Sequence, residues 1–141
     1  MGCGSGATRG IVRATIEEAN YKVQVSNPKN GQLCNFTYKS NNQSISLTTL
    51  MNYLSFDVKY GLEIDGNFIS IYNRTEDKYE YYVQRLVGTE IQDEKNPKNG
   101  KIWIVYVNDV KTYWNDVVNN DIKVTVKDRI VWKFEDFETI A

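Results

Sequence analysis

A chain of 141 residues, 41% hydrophobic and 25% charged, has the size and composition of one globular domain and can bury a core without disulfides. Seventeen basic residues against eighteen acidic leave a net charge of −1. No single-sign field therefore exists to hold a nucleic acid, and the Lys and Arg residues are scattered. Histidine is absent, which excludes Ser-His-Asp and Cys-His nucleophiles and His-bearing zinc sites, while Cys3 and Cys34 alone cannot build a Cys-rich metal site.

The opening MGCGSGATRG has the Gly/Ser content of a flexible leader, assigned to residues 1–19. Gly2-Cys3 also fits the remnant of a bacterial lipobox, in which case Cys3 would carry a lipid anchor. A myristoylation motif wants Ser or Thr at position 6, where Gly6 stands. The spacing of Cys3 and Cys34 gives no support for a disulfide between them. Residues 20–141 are expected to form a single β-rich domain.

Tyr21 to Val25 alternates with period two and predicts a strand. Asn27-Pro-Lys-Asn-Gly31 is turn chemistry, with Asn-Gly suited to left-handed positions. Gln32 to Lys39 alternates again, placing Cys34, Phe36 and Tyr38 on one face of a second hairpin strand. Ser46 is positioned as a helix N-cap. Leu47, Leu50, Met51 and Leu54 then repeat at helical spacing, one apolar stripe of a short helix. Gly61 and Gly66 punctuate the loop beyond.

Phe68 to Tyr72 predicts a short strand, with Ile69 and Ile71 on one face. Residues 78–87 are β-prone and partly polar, as expected of an edge or an excursion. The polar stretch 90–100 ends in Asn96-Pro-Lys-Asn-Gly100, the same pentapeptide as at 27–31. The residues after the two copies differ, QLCNFTY against KIWIVYV, so one turn solution is used twice rather than a domain duplicated. Ile102 to Val107 is apolar on both faces, hence a central strand. A loop is expected over 109–121. Asp121 to Lys127 alternates, with Ile122, Val124 and Val126 inward. Asp128-Arg129 turns the chain, and Ile130, Trp132 and Phe134 form the last inward face. These elements make an α+β fold: mostly antiparallel sheet with one short helix packed on one face.

Paired carboxylates perform glycoside hydrolysis, and Asp65, Glu76, Glu80, Asp109 and Asp116 are available. Their spacing does not distinguish them from solvated loop charges. Asp116 to Asp121 offers oxygen ligands without EF-hand spacing, so no metal site is assigned. Three Asn-x-Ser/Thr sequons, at Asn35, Asn42 and Asn73, are expected by chance in so Asn-rich a chain. The aromatic residues carry more information: ten Tyr, five Phe and three Trp. Trp132 and Phe134 belong to a clean inward face. Trp103, Tyr106, Tyr113 and Trp114 bracket a strand end and a loop, where binding residues concentrate.

Several blocks occur in an order that resembles the transcobalamin-like C-terminal domain. They are Leu47-Thr-Thr-Leu-Met-Asn-Tyr-Leu54; Tyr60-Gly-Leu with Gly66-Asn-Phe-Ile-Ser-Ile71; Gly100-Lys-Ile-Trp-Ile-Val-Tyr-Val-Asn108; and Ile122 to Phe134. That domain is the smaller half of transcobalamin and intrinsic factor and a module of bacterial surface proteins. The resemblance covers about residues 20–136. Asp109 stands where the family usually has Gly, Lys127-Asp128 replaces its Gly-Asp turn, and the stretch 73–99 is longer. The resemblance implies a non-enzymatic extracellular or cell-surface binding module, with cobalamin or a related corrinoid as ligand and no other cofactor. Its implied ligand-binding residues are Trp103, Tyr106, Asn108, Tyr113 and Trp114. The alternative is an adhesive or assembly domain of a bacterial surface or a virion, binding protein through exposed strand edges.

Overall fold

The structure is a computed structural model that describes residues 18–56 and 64–138. Cys3 with most of the leader, Gly61 and the Tyr60-Gly-Leu block lie outside the described residues. Strand β1 (Ala19–Ser26) buries Ala19, Tyr21, Val23 and Val25, as its alternation requires. It pairs antiparallel with β2 (Leu33–Ser40) across the first NPKNG turn. There the Gly31 N–H donates to the Asn27 carbonyl at 2.8 Å. Of the Asn30-Gly31 pair only Gly31 is left-handed, at φ 72°. The second copy keeps one bond of the first: the Asn99 N–H donates to the Asn96 carbonyl at 2.9 Å, as Asn30 does to Asn27 at 3.4 Å. Cys34 carries a free, half-buried thiol.

Strand β3 (Ile45–Ser46) runs straight into helix α1 (Leu47–Phe56), whose Leu47, Leu50, Met51 and Leu54 are buried. Ser46 precedes the helix as expected, but its hydroxyl donates to the Asp121 carboxylate at 2.6 Å. The Leu47 N–H donates to the Ile122 carbonyl at 2.8 Å. The helix start is thus tied to a distant segment of chain. That Ser46 bond, with help from Lys123, holds the Asp121 carboxyl below the usual carboxylate range.

Strands β4 (Asn67–Asn73), β5 (Lys78–Leu86) and β6 (Thr89–Glu90) form a three-stranded antiparallel sheet. In the sheet order β5 is the middle strand, with Tyr82, Val83, Gln84 and Leu86 buried, so the 78–87 run is an edge over only part of its length. Its polarity misleads because side chains satisfy it. The buried Gln84 accepts from Asn67 Nδ2 at 2.9 Å, and Arg85 pairs with Asp65 at 3.3 Å. Strand β6 pairs only with Arg85 and Leu86, however. Among the described residues, Lys78 to Val83 has a strand neighbour on one side alone.

The rest of the chain comprises β7 (Lys101–Val107), β8 (Val110–Thr112), helix α2 (Trp114–Asn120), β9 (Lys123–Val124) and β10 (Ile130–Asp136). The 109–121 stretch is thus a short strand and a second helix rather than a loop. Asn and paired Val are poor helix formers. Burial of Trp114 and Val117 stabilises the helix instead, and Asp121, at φ 46°, ends it by donating its N–H to the Val117 and Val118 carbonyls. The 121–127 strand shrinks to Lys123–Val124, paired with β3. The Asp128 carboxylate accepts the Thr125 N–H at 2.7 Å and pulls the chain into a turn. Val126 lies in that turn and is 42% exposed, so it does not point inward.

The main sheet has five strands in the order β2-β1-β10-β7-β8. Strand β10 is the central one, parallel to β1 and antiparallel to β7. The α+β class stands, with two short helices and one parallel pairing among the described residues in place of a single helix on purely antiparallel sheet. One face of the sheet, including Tyr21, Val23, Phe36, Val105 and Trp132, packs with the apolar stripe of α1 in one core. The Trp132 indole N–H points at Met51 Sδ, 3.3 Å away. Among the described residues no helix is long and apolar enough to cross a membrane.

Asn108 and Asp109 join β7 to β8 with φ of 51° and 68°, the φ pattern of a type I′ turn. Asp109 thus occupies a conformation that glycine adopts without steric cost. Its ion pair with Arg129, at 3.2 Å, joins two exposed side chains and adds little. Asp109→Gly is expected to raise the unfolding free energy by about 0.5–1 kcal/mol in denaturant titrations. Unchanged or lower stability would show that the turn is not strained.

Candidate functional site

A cleft of about 190 Å³ lies where the open side of β5 meets the first half of β7 and the start of α2. Its buried floor is Val83, Ile102, Trp103 and Trp114. Tyr81 and Tyr82 come from β5, and the half-buried Tyr113 and Phe137 stand opposite, their ring centroids 5.1 Å apart. Glu80, Lys98, Asn115 and Asp116 supply the polar groups. The two walls are joined directly: Asn115 Oδ1 accepts the Tyr81 N–H at 3.0 Å. A side-chain amide thus takes the place of the missing strand neighbour, which a backbone donor requires.

The structure divides the five residues singled out in the sequence. Trp103, Tyr113 and Trp114 converge on the cleft. Trp103 is anchored by its indole N–H, which donates to the Thr89 carbonyl at 2.9 Å, and by Phe134, 5.0 Å away centroid to centroid. Tyr113 donates its hydroxyl to the Glu138 carbonyl at 3.0 Å, which fixes the ring beside Phe137. Tyr106 lies elsewhere, because an offset of three along a strand places it on the opposite face from Trp103. Its hydroxyl donates to Glu135, and the Lys133 ammonium sits 4.5 Å above its ring. The Glu135 bond, with burial and the carboxylate charge, pushes the Tyr106 phenol up to about 12.

Asn108 is also outside the cleft and acts as a clamp. Its side chain accepts the Arg129 N–H at 2.8 Å and donates to Asp128 at 2.8 Å. Its own N–H donates to the Arg129 carbonyl at 2.8 Å. The β7–β8 turn is thereby fastened to the loop before β10. The Asn108 bond, followed by that from the Thr125 N–H, holds the Asp128 carboxyl below its ordinary value.

Of the carboxylates considered from sequence, Glu80 and Asp116 reach the cleft. Asp65, Glu76 and Asp109 instead pair with Arg85, Lys78 and Arg129 outside it. The Glu80 side chain is only 15% exposed and lies 3.4 Å from the Lys98 ammonium. It also accepts from the Tyr82 hydroxyl at 3.3 Å. Burial, and then the Glu80 charge, raise the Tyr82 phenol well above its usual range, so it stays a neutral donor. Among the described residues, no group of three or more His, Cys, Asp or Glu side chains is arranged to hold a metal ion.

No protein-family model matches the chain, and no curated protein matches it. The cleft residues that sequence reasoning passed over include Tyr81, Tyr82, Lys98, Asn115 and Phe137. The available signal was the Tyr-rich run 79–82, which is dense in aromatics for a strand so polar. Lys98 and Phe137 carry no local signal, since only the fold brings them together, the Lys98 ammonium 5.8 Å from the ring centroid.

Asn108→Ala is expected to cost about 1–2 kcal/mol of stability at neutral pH, since it leaves the Arg129 N–H and Asp128 short of a partner. The folded-state carboxyl of Asp128 is depressed, so its contribution is present above the unfolded value near 4 and is lost as pH falls through the folded value. The gap between wild type and variant in denaturant titrations should therefore narrow below about pH 4. A pH-independent gap would detach the clamp from Asp128.

Proposed function

We propose that the protein is a non-enzymatic binding module that holds its ligand in the aromatic cleft between β5, β7 and α2. The observation that carries this reading is the convergence of Trp103, Tyr113 and Trp114 with Tyr81, Tyr82 and Phe137 around one concave site. Rigid aromatic side chains with a few polar groups between them are the usual lining of small-molecule sites. The wall at the start of α2 is pre-formed, since Tyr113 and Asn115 are already held by hydrogen bonds.

At about 190 Å³ the cleft is smaller than the roughly 300–1,000 Å³ of sites that enclose a drug-sized ligand. It suits one ring-sized group, or the edge of a larger molecule. The resemblance to the transcobalamin small domain favours a corrinoid, which would insert an edge here and leave the rest of the macrocycle to a second surface. The same resemblance supports an extracellular or cell-surface setting.

Titration with cyanocobalamin is expected to quench tryptophan fluorescence saturably, with matching heat in calorimetry. Tyr113→Ala should weaken binding about tenfold or more, the loss of a buried aromatic contact. Tyr106→Phe, outside the cleft, should leave it unchanged. A flat calorimetric trace at millimolar cyanocobalamin would remove the corrinoid. Equal weakening by both variants would remove the cleft.

A further inference from the structure

We propose that the cleft selects a ligand bearing a cationic group, and that Lys98 fills the cation position while the cleft is free. This rests on the reading of the cleft as a ligand site and replaces the corrinoid, which has no ammonium group, with a ligand that has one. Three charged side chains reach it: two carboxylates, Glu80 and Asp116, against one ammonium, Lys98. The excess is negative, and Asp116 has no basic partner in ion-pair range among the described residues. An anionic ligand would therefore meet repulsion with only one cation to offset it.

The Lys98 ammonium shows what the cleft holds well. It sits 3.4 Å from the Glu80 carboxylate and 5.8 Å from the Phe137 ring centroid. A cation held by a carboxylate and an aromatic face is the arrangement that binds alkylammonium groups. Glu80 is largely buried, so its charge needs a cation or strong donors nearby. Tyr82 donates one hydrogen bond to it, and that phenol does not compete by ionising. Lys98 itself is nearly half exposed and contributes a long, solvent-screened pair. An incoming ammonium displaces it at small cost, and the Lys98 side chain swings into water with its charge solvated. Lys98 is thus an internal competitor that sets a threshold for the ligand's cation.

The test uses choline and its uncharged isostere 3,3-dimethylbutan-1-ol on the full chain at matched ionic strength, following backbone amide shifts of Tyr81 and Asn115. Choline is expected to shift both saturably and to bind about tenfold or more tightly than the alcohol. Lys98→Met, a surface change, should tighten choline about threefold or more, the removal of an exposed competing pair. Glu80→Gln should bring choline down to the level of the alcohol. Equal affinity for the two probes, or choline binding unchanged or weakened in Lys98→Met, would overturn the proposal. If choline shows no preference yet cyanocobalamin quenches the tryptophans, the cation requirement falls and the cleft stands as a binding site. If neither perturbs the protein, both fall.

Discussion

Trp114 is the contact on which the rest of the architecture depends. Its indole stacks on Phe68 of β4 at 5.3 Å and packs at a tilt against Trp132 of β10 at 5.5 Å, centroid to centroid. The column continues on one side to Phe56 and on the other, through the Trp132 indole N–H, to Met51 of α1. Among the described residues, one side chain thus connects α1 and α2 with two sheets that share no strand pairing. Aromatic pairs add about 0.5–1.5 kcal/mol each beyond the area they bury, so the column is a substantial share of a domain's net stability.

The same residue explains why a cleft exists. Trp114 opens α2, and its burial aims the next two residues, Asn115 and Asp116, at the open side of β5. Asn115 then satisfies the Tyr81 N–H, so β5 is joined to α2 by a side chain rather than by strand pairing. Polar bonds secure the far end of α2. Asp121 ends the helix in a left-handed conformation and receives the Ser46 hydroxyl, which couples the end of α2 to the start of α1. The Asn108 clamp fixes the neighbouring turn to the loop before β10. The cleft is therefore a by-product of core packing, lined on its floor by residues whose first role is structural.

Hydrophobic period made much of this legible. The stripe of α1 and the inward faces of β1, β2 and β10 follow directly from which residues alternate, and Trp132 is fully buried as its position predicts. The failures have distinct physical causes. Helix α2 has poor intrinsic propensity and forms because Trp114 and Val117 are buried. Val126 continues an alternating pattern that the Asp128 turn interrupts. Tyr106 is close to Trp103 along the chain, yet period two sets the two on opposite faces, so proximity in sequence is a poor guide to a shared site. Asn108, expected as a ligand contact, is a turn clamp. The cleft also brings in Lys98 and Phe137, and tertiary convergence of that kind leaves no trace in local pattern.

Backbone amide exchange in Trp114→Leu measures the role of the column most directly, because locally opening units lose protection before the whole domain does. Loss of the indole should cost about 2–4 kcal/mol overall. The predicted result is that the amides of β4 and β5, Tyr81 above all, lose far more protection than those of β1 and β10. Equal loss in both sheets, or full retention in β5, would contradict the claim that Trp114 joins them.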